Sequence, residues 1–536
     1  MTTSEQTSLV DAATATVLGV GAYRERLDPD SDAGGRLAGN LQTYRRDDRE
    51  AWLAEIERLE TLERWVDDSP DRHAEVRRSL ERLPSIAAEV RRLDEGPETR
   101  PLREPELFAV KQFLYFGSRI LRAAEELVAE LGRPLRWRVR LDALSNEIHP
   151  GRDDTPRFHL AGELSPELAD LLEQKSDIQE ELTVIRERVE EKIVSRLGGS
   201  FDLEGRYLPG GLSESELESS EELERGDDGW RPASAELSRK RGELEAVRER
   251  LGEVEREVRA ELTEAVAEEA EWLESVTGFL AELDFGLARV RLRRRVEGCW
   301  GTWRGADEDA GTMLSQGREP RVERLAARQG HAVQPVDFEL SGPPAVVTGP
   351  NMGGKSALLA LVGLAQWCLQ HAMPVPAASF ESSPVCAICY VGSEEPGARD
   401  ASEGLSSFGR EVRRIVELRE SSEAPSLWLL DEVGRGTHPE DGAELAIDVL
   451  ENLHRRGHRV LAATHFPAVA AHQAFEAFRI RGIVDTDALE EALAGADTLD
   501  EIEVALRSAM DFQPVASDGS VPRDARIVAR ALGLES

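Results

Sequence analysis

The chain has 536 residues and a formal net charge of −37, with 103 acidic residues against 66 lysines and arginines. Its four cysteines are too few for a disulfide scaffold, and its apolar runs are too short to cross a bilayer, so the composition excludes a disulfide-stapled secreted protein and a membrane protein. No basic and apolar leader opens the sequence, and we expect a cytoplasmic protein.

Lysine is rare in this chain, since only Lys111, Lys175, Lys192, Lys240 and Lys355 occur and every other basic residue is arginine. An acidic surface that prefers arginine is favoured in a halophilic cytoplasm, where salt screens self-repulsion. A GC-rich genome and an ordinary acidic protein are the alternative interpretation.

The first half of the chain is predicted to be helical. Residues 1–42 are mixed in composition and predict a variable, loosely packed N-terminal segment. Residues 43–163 predict a helical core, with a long amphipathic pattern at residues 106–131. Helical patterning returns at residues 271–332, after a segment of different character.

Residues 164–270 carry two heptad runs. Leu168, Leu171, Ile178, Leu182, Ile185 and Val189 form the first, in which Lys175 fills one seam position, and Leu237, Leu244, Val247, Leu251, Val254 and Val258 form the second. An acidic insert at residues 200–234, broken by Gly and Pro, separates them. The pattern predicts an antiparallel coiled-coil hairpin with arms on the order of 45 Å long. Two ordinary amphipathic helices on a globular core are the alternative.

Residues 333–536 predict an α/β domain. The runs AVVT, VCAICYV, SLWLLD and HRVLAAT are apolar and short, and helical patterns separate them, as in a buried sheet covered by helices. Cys386 and Cys389 form a CxxC in one of these runs. Residues three apart in a strand point to opposite faces, and a second CxxC is missing, so we interpret these cysteines as packing residues rather than zinc ligands.

A glycine-rich turn in this domain predicts nucleotide binding. Residues 349–356, GPNMGGKS, satisfy GxxxxGK[ST] between a predicted strand and a predicted helix. Glycines allow backbone N–H groups to close around phosphate oxygens, and the helix N-terminus adds partial positive charge. Lys355 is placed to reach the terminal phosphates, and Ser356 to ligate Mg²⁺.

Two further strand ends supply the expected catalytic groups. Asp431 ends the run SLWLLD and predicts a second Mg²⁺ ligand, while the adjacent Glu432 is placed to polarise a water against the γ-phosphate. An exposed turn after a strand is the alternative for this acidic pair. His465 ends the run VLAATH and predicts a γ-phosphate sensor, with a satisfied core histidine as the alternative.

Together these motifs resemble the MutS family of ABC-type ATPases. TGPNMGGKS is similar to that family's Walker A motif, LLDEVGRGT to its Walker B motif, ATHF to its histidine switch, and DASEGLSSFGREV to its signature loop. The resemblance implies ATP and Mg²⁺ as cofactors and a homodimer with composite ATP sites. It also implies phosphate-loop contacts from Gly349, Asn351, Gly353 and Gly354, a signature contact from Ser406 in the opposite subunit, and His331 where the family usually stacks an aromatic residue on adenine.

The resemblance covers residue 333 to the end specifically and the earlier part by architecture. It leads us to expect a multidomain α and α/β protein, in which a helical core with an antiparallel coiled-coil clamp precedes a P-loop ABC-type ATPase domain. The Phe-x-Glu wedge of the family's mismatch readers is missing, and we expect a short paralogue without the mismatch-recognition domain and without the C-terminal nuclease extension.

Three functions remain open for the ATPase. A clamp on branched or damaged DNA is favoured by the family resemblance and by a run of five arginines, Arg289, Arg291, Arg293, Arg294 and Arg295. Pairing with nearby glutamates on a solvated helix face is the favoured alternative explanation of that run. The acidic clamp tip opposes phosphate binding and favours a protein partner, as in similar ATPases that reactivate adenosylcobalamin-dependent aminomutases. A chromosome-organising SMC-type ATPase is disfavoured by the short arms.

Overall fold

A computed structural model of the chain describes residues 8–94, 100–134, 136–150, 155–160, 162–226, 229–305, 311–328, 332–350, 354–392, 407–483, 489 and 509–517. The chain divides into two units. The first contains Met1–Asp30, Gly34–Ser69 and Glu282–Ser536, and the second contains Ser31–Ala33 and Pro70–Ala281. No helix within the described residues is both long enough and apolar enough to cross a membrane.

Helices account for most of the structure that precedes residue 300. The first helices are α1 (Ala12–Val17), α2 (Val20–Arg24), α3 (Asp32–Gly39), α4 (Arg49–Asp68), α5 (Pro70–Leu80), α6 (Ala87–Asp94), α7 (Glu104–Ala123), α8 (Glu125–Glu130) and α9 (Arg136–Ile148). The middle elements are α10 (Pro166–Leu197), β1 (Ser200–Phe201), β2 (Tyr207–Leu208), α11 (Glu214–Glu218), β3 (Leu223–Gly226), β4 (Gly229–Pro232), α12 (Ala235–Glu268) and α13 (Ala270–Arg295).

The remaining elements build the α/β part. The strands are β5 (Thr302–Trp303), β6 (Thr312–Gly317), β7 (Val336–Leu340), β8 (Ala345–Thr348), β9 (Ser379–Ser382), β10 (Ile388–Gly392), β11 (Leu427–Asp431), β12 (Arg459–Ala463), β13 (Glu476–Ile483) and β14 (Met510–Ala516). The helices are α14 (Pro320–Arg328), α15 (Lys355–Leu369), α16 (Ser407–Ser421), α17 (Pro439–Arg455) and α18 (Pro467–Ala470).

Six strands form the central sheet of the first unit, in the order β10-β11-β12-β8-β13-β14. The five strands from β10 to β13 are parallel, and β14 runs antiparallel at the edge. β8, β11 and β12 are buried along their whole length, which explains their continuous apolar sequences. The four apolar runs predicted as strands therefore all contain strands of this sheet. A smaller sheet has the order β5-β9-β6-β7.

Helices cover both faces of the central sheet. On one face, residues of α16, α17 and α18 join a hydrophobic cluster around Trp428 and Leu430. On the other face lies α15, where a Cβ on Gly363 would come within 2.6 Å of both Leu429 and Leu18. Gly363 thus allows close packing of α15 between β11 and the end of α1.

The described part of the N-terminal segment, residues 8–42, is anchored by buried side chains, contrary to the predicted loose start. Leu9 and Tyr23 are 2 % exposed or less. The Leu9 carbonyl accepts a hydrogen bond from the Ile388 N–H (2.8 Å), and the Tyr23 hydroxyl donates to the Pro374 carbonyl (2.7 Å). The composition of residues 1–42 concealed this, because the apolar anchors are few and widely spaced.

The second unit is helical and contains two long neighbouring helices, α10 and α12. Ser165 and Ser234 cap their N-termini by accepting hydrogen bonds from the N–H groups of Leu168 and Leu237. The helices run antiparallel, because the residue numbers of the ion-pair partners decrease along α12 as they increase along α10. These pairs are Glu167–Arg250, Glu181–Lys240 and Arg188–Glu236. The predicted seam residues are buried or half-buried.

The acidic insert between α10 and α12 folds into a small module. β1 pairs with β2 and β3 with β4, both antiparallel. Ile193, Tyr207, Leu217 and Leu223 form its buried core. Between Gly198 and Ser234 the sequence has ten acidic and three basic residues. The module is therefore ordered by an apolar core and carries a strongly negative surface.

Candidate nucleotide site

The glycine-rich turn joins β8 to α15. Gly354 precedes α15 with a φ of 85°, in the left-handed region that favours glycine. Lys355 begins α15 and is 6 % exposed. Its Nζ donates hydrogen bonds to the carbonyl oxygens of Gly349 (2.9 Å) and Pro350 (3.0 Å). The exposed Ser356 follows in the first turn, where backbone N–H groups lack helical partners.

Asp431 and Glu432 lie where β11 ends. Asp431 is the last residue of β11 and is 8 % exposed, and the buried Tyr390 hydroxyl of β10 donates to its Oδ2 (2.9 Å). Glu432 follows with a φ of 57°, and its N–H donates to the carbonyl of Ala463 at the end of β12 (2.9 Å). A non-glycine residue rarely adopts this conformation, which persists where surrounding contacts hold the turn in place.

The parallel register brings these groups to one edge of the sheet. Asp431 is in register with Ala463 of β12, and Ala463 with Val347 of β8. Burial lowers the pKa of Lys355, and the negative charges of Glu432 and Asp431 act in the opposite direction. The charges of Lys355, Asp431 and Glu432 therefore interact at this edge, as the pattern of strand ends predicts.

His465 lies at the same edge, directly after Thr464, whose N–H donates to the Val347 carbonyl (3.0 Å). The His465 side chain is exposed, and its ring lies against that of Phe466 with the centroids 4.4 Å apart. It is therefore not a buried core histidine, which was the alternative interpretation.

Four of the predicted contacts lie outside the described residues. These are Asn351, Gly353, His331 and Ser406. Three further side chains contact Asp431 or the turn after it without a predicted role, namely Tyr390, Glu411 and Arg435. Glu411 and Arg435 lie inside the motifs DASEGLSSFGREV and LLDEVGRGT. Tyr390 resembles any core tyrosine until strand order places β10 beside β11.

The donor set at this edge suits magnesium. A carboxylate and a hydroxyl are the oxygen ligands that Mg²⁺ takes in nucleotide sites, and Asp431 and Ser356 present these groups. The Tyr390 hydroxyl orients one oxygen of Asp431, which is the kind of outer contact that supports a metal ligand.

The side chains of the arginine run have partners within the protein. Arg289 is 2 % exposed and pairs with Glu55 of α4. The remaining arginines of the run also have partners: Arg291 with Asp30, Arg293 with Glu63, Arg294 with Asp67, and Arg295 with the carbonyl of Arg26. These internal partners favour the pairing alternative over DNA contact by the run, with aspartates and a carbonyl among them as well as glutamates, and Arg289 is buried rather than solvated.

Of the two CxxC cysteines, Cys389 behaves as a packing residue, whereas Cys386 is partly exposed. Cys389 is buried in β10 within the cluster around Trp428, and burial raises the pKa of its thiol to about 12. Cys386 precedes the strand, and its Sγ lies 3.7 Å from the Ala424 carbonyl oxygen. Among the described residues, no cluster of three or more His, Cys, Asp or Glu side chains could hold a metal ion.

The region that contains the site is similar to one protein family. Residues 345–493 match MutS domain V. The chain is 33 % identical over 211 residues to the Endonuclease MutS2 of Bacillus cytotoxicus, and 33 % identical over 223 residues to that of a Geobacillus species. These matches cover 39 % and 41 % of this chain. The matched region spans only 26 % and 27 % of those two relatives, about a quarter of their length.

Proposed function

Because this chain is a MutS-family protein with an ATPase domain of the MutS/ABC type, we propose that the edge formed by β8, β11 and β12 binds and hydrolyses ATP with Mg²⁺. The observation that carries the proposal is the convergence of Lys355, Asp431 and Glu432 at one edge of a parallel sheet. A phosphate-binding cation and two carboxylates beside a helix N-terminus meet the requirements of phosphoryl transfer.

Each group has a distinct role in the proposed reaction. The turn from Gly349 to Gly354, including Asn351 and Gly353, surrounds the phosphates with backbone N–H groups, and Lys355 exchanges its carbonyl partners for phosphate oxygens. Ser356 and Asp431 hold Mg²⁺, which neutralises charge on the phosphates when it is bound.

Glu432 accepts a proton from the attacking water. The water oxygen bonds to the γ-phosphorus while the bond from that phosphorus to the β,γ-bridging oxygen breaks, and ADP and phosphate are released. His465 contacts the γ-phosphate. A half-buried carboxylate beside the lysine suits this task, because it is close to the reacting phosphate and is held by its backbone.

The first experiment measures ATP binding by the Lys355→Ala variant. We expect the affinity to fall strongly, because the only side-chain cation in the phosphate turn is lost. Lys192→Ala is the matched control, since Lys192 is an exposed residue of α10 that pairs with Glu222 of the acidic module. Wild-type affinity in the Lys355→Ala variant contradicts the phosphate-turn assignment.

The proposed assembly is a homodimer with shared sites. By family resemblance, Ser406 contacts the nucleotide bound to the opposite subunit, and His331 lies against the adenine. α10 and α12 then act as the arms of a clamp, and their antiparallel pairing and polar outer faces support this use.

Branched or damaged DNA is the proposed substrate of the clamp. The support is the family, together with the name Endonuclease MutS2 carried by the similar proteins. The arginine run no longer supports it, since those side chains pair with α4 and the N-terminal segment. We therefore expect recognition by DNA shape, with a salt dependence that arises from residues other than this run.

A protein-remodelling function, such as reactivation of an adenosylcobalamin-dependent aminomutase, is the second candidate. The ordered module at the end of the arms favours it, because ten acidic residues against three basic ones repel phosphate and suit a basic protein surface. ATP-dependent retention on duplex, junction or flap DNA supports the first candidate. The absence of retention across that panel, in a preparation that hydrolyses ATP, supports the second.

A further inference from the structure

The turn after β11 is held in an unusual backbone conformation. Glu432 has a φ of 57° and Gly434 a φ of 86°. A Cβ on Gly434 would lie 2.5 Å from the Gly442 carbonyl oxygen, so the turn packs directly on the first residues of α17. This conformation fixes where the Glu432 carboxylate can point, and it depends on contacts that oppose the backbone strain.

Glu411 makes one of those contacts from a different element. It lies on α16, and its Oε1 accepts a hydrogen bond from the Gly434 N–H at 2.6 Å. Burial raises the pKa of the Glu411 carboxyl, while the Gly434 N–H acts to lower it. Partial burial of a carboxyl group is costly unless a hydrogen bond replaces its lost hydration, and the Gly434 N–H supplies such a bond.

α16 is itself anchored where Glu411 projects from it. Arg414, three residues further along the helix, forms an ion pair with Asp11. Asp11 in turn caps α1, where its Oδ1 accepts from the Thr14 N–H at 2.8 Å. The Glu411 carboxylate is therefore presented from a fixed helix, and the Gly434 N–H has a fixed acceptor.

Arg435 completes the arrangement around Glu432. Its guanidinium pairs with Oε2 of Glu432, and the Arg435 side chain is 59 % exposed against 14 % for Glu432. One carboxylate oxygen of Glu432 is thus engaged on the solvent side, while the negative charge of Glu432 still acts on Lys355. Movement of the turn would therefore displace the Glu432 carboxylate.

We propose that Glu411 is a positioning residue for ATP hydrolysis, which holds the Glu432 turn in its productive conformation through the Gly434 N–H. This inference rests on the proposed function, because it assumes that Glu432 is the general base. Glu411 does not touch the nucleotide in this proposal, so it contributes to the chemical step and not to ATP affinity.

The test compares Glu411→Ala with Glu411→Gln in the full-length protein. Alanine removes the acceptor, whereas glutamine keeps an oxygen that the Gly434 N–H can use. We expect Glu411→Ala to lower kcat by about tenfold to a hundredfold, with KM and ATP affinity within about twofold of wild type. Glu411→Gln should recover most of kcat. Glu417→Ala is the matched control, because Glu417 lies on the same helix and pairs with the exposed Arg413.

Three results would overturn the proposal. One is an unchanged kcat in Glu411→Ala, and another is an equal loss in Glu411→Ala and Glu411→Gln. The third is a parallel loss of kcat, ATP affinity and thermal stability, which would indicate a general structural role. Failure of the proposed function itself is recognised separately, since Glu432→Gln would then hydrolyse ATP as fast as wild type.

Discussion

At the scale of single residues, Asp431 depends on a neighbour that the sequence did not reveal. The Tyr390 hydroxyl donates to Oδ2 of Asp431 across two adjacent strands, and both side chains are buried. In the proposed site Asp431 holds Mg²⁺, so Tyr390 orients a metal ligand without contacting the metal. Outer contacts of this kind contribute substantially to metal affinity.

Tyr390→Phe should therefore raise the Mg²⁺ concentration needed for half-maximal ATP hydrolysis, by about tenfold. The ring still fills its place in the core, so the fold should be retained. Titration of ATPase activity with Mg²⁺ after chelation measures the effect. Tyr207→Phe is the control, because that hydroxyl bonds the Gly198 carbonyl in the acidic module. An unchanged Mg²⁺ requirement would show that the hydroxyl does not support the metal ligand.

At the scale of elements, the pairing of α4 with α13 stabilises the first unit. Burial alone would raise the pKa of Glu55, but hydrogen bonds and charges from Arg58 and Arg289 outweigh it and lower that pKa from 4.5 to about 2. Arg289 is fully buried and needs this partner, because burial disfavours its charged form. Arg289 of the arginine run thus has a structural role.

Glu55→Gln should lower the free energy of unfolding at neutral pH by about 3 kcal/mol, the equivalent of a pKa that falls from 4.5 to about 2. Because the folded-state pKa is depressed, the contribution is complete above about pH 4.5 and is lost as the pH falls toward 2. Thermal unfolding from about pH 7 to about pH 3 measures it, with the exposed Glu57→Gln as control. An unchanged difference between wild type and Glu55→Gln across this range would contradict the ion-pair account.

Helices and strands could be predicted from the sequence where a local pattern of apolar residues determines them. Apolar runs that end in Thr348, Asp431 or Thr464 predict buried parallel strands, and the two heptad runs predict two long helices. Partners distant in the sequence were not predictable in this way. The pairing of Arg289 with Glu55 joins residues 234 positions apart, and the Glu411 contact with Gly434 depends on how α16 docks beside β10.

The acidic module illustrates the same limit. Its content of Gly, Pro and Glu predicts an interruption of the heptad pattern, but it does not predict a folded module. Its buried core brings together four apolar residues that are well separated in the sequence, namely Ile193, Tyr207, Leu217 and Leu223.

At the scale of the whole molecule, the proposed dimer predicts complementation between two inactive variants. Ser406→Arg blocks the site of the opposite subunit, and Lys355→Ala disables the phosphate turn of its own. In a mixture, the heterodimer retains one site with an intact Lys355 and an intact Ser406. ATP turnover should therefore recover to about half of the wild-type value per heterodimer at most. Confirmed heterodimers without any turnover would contradict the shared site.

The central claim is that Glu432 is the catalytic base of a nucleotide site built by β8, β11 and β12. The most direct measurement follows radiolabelled ATP bound to Glu432→Gln and the phosphate that this variant releases in a single turnover. Glutamine preserves size and hydrogen bonding but cannot accept the proton, so ATP should bind with near wild-type affinity and remain intact on the protein. Phosphate release at the wild-type rate would place the base elsewhere and contradict the account.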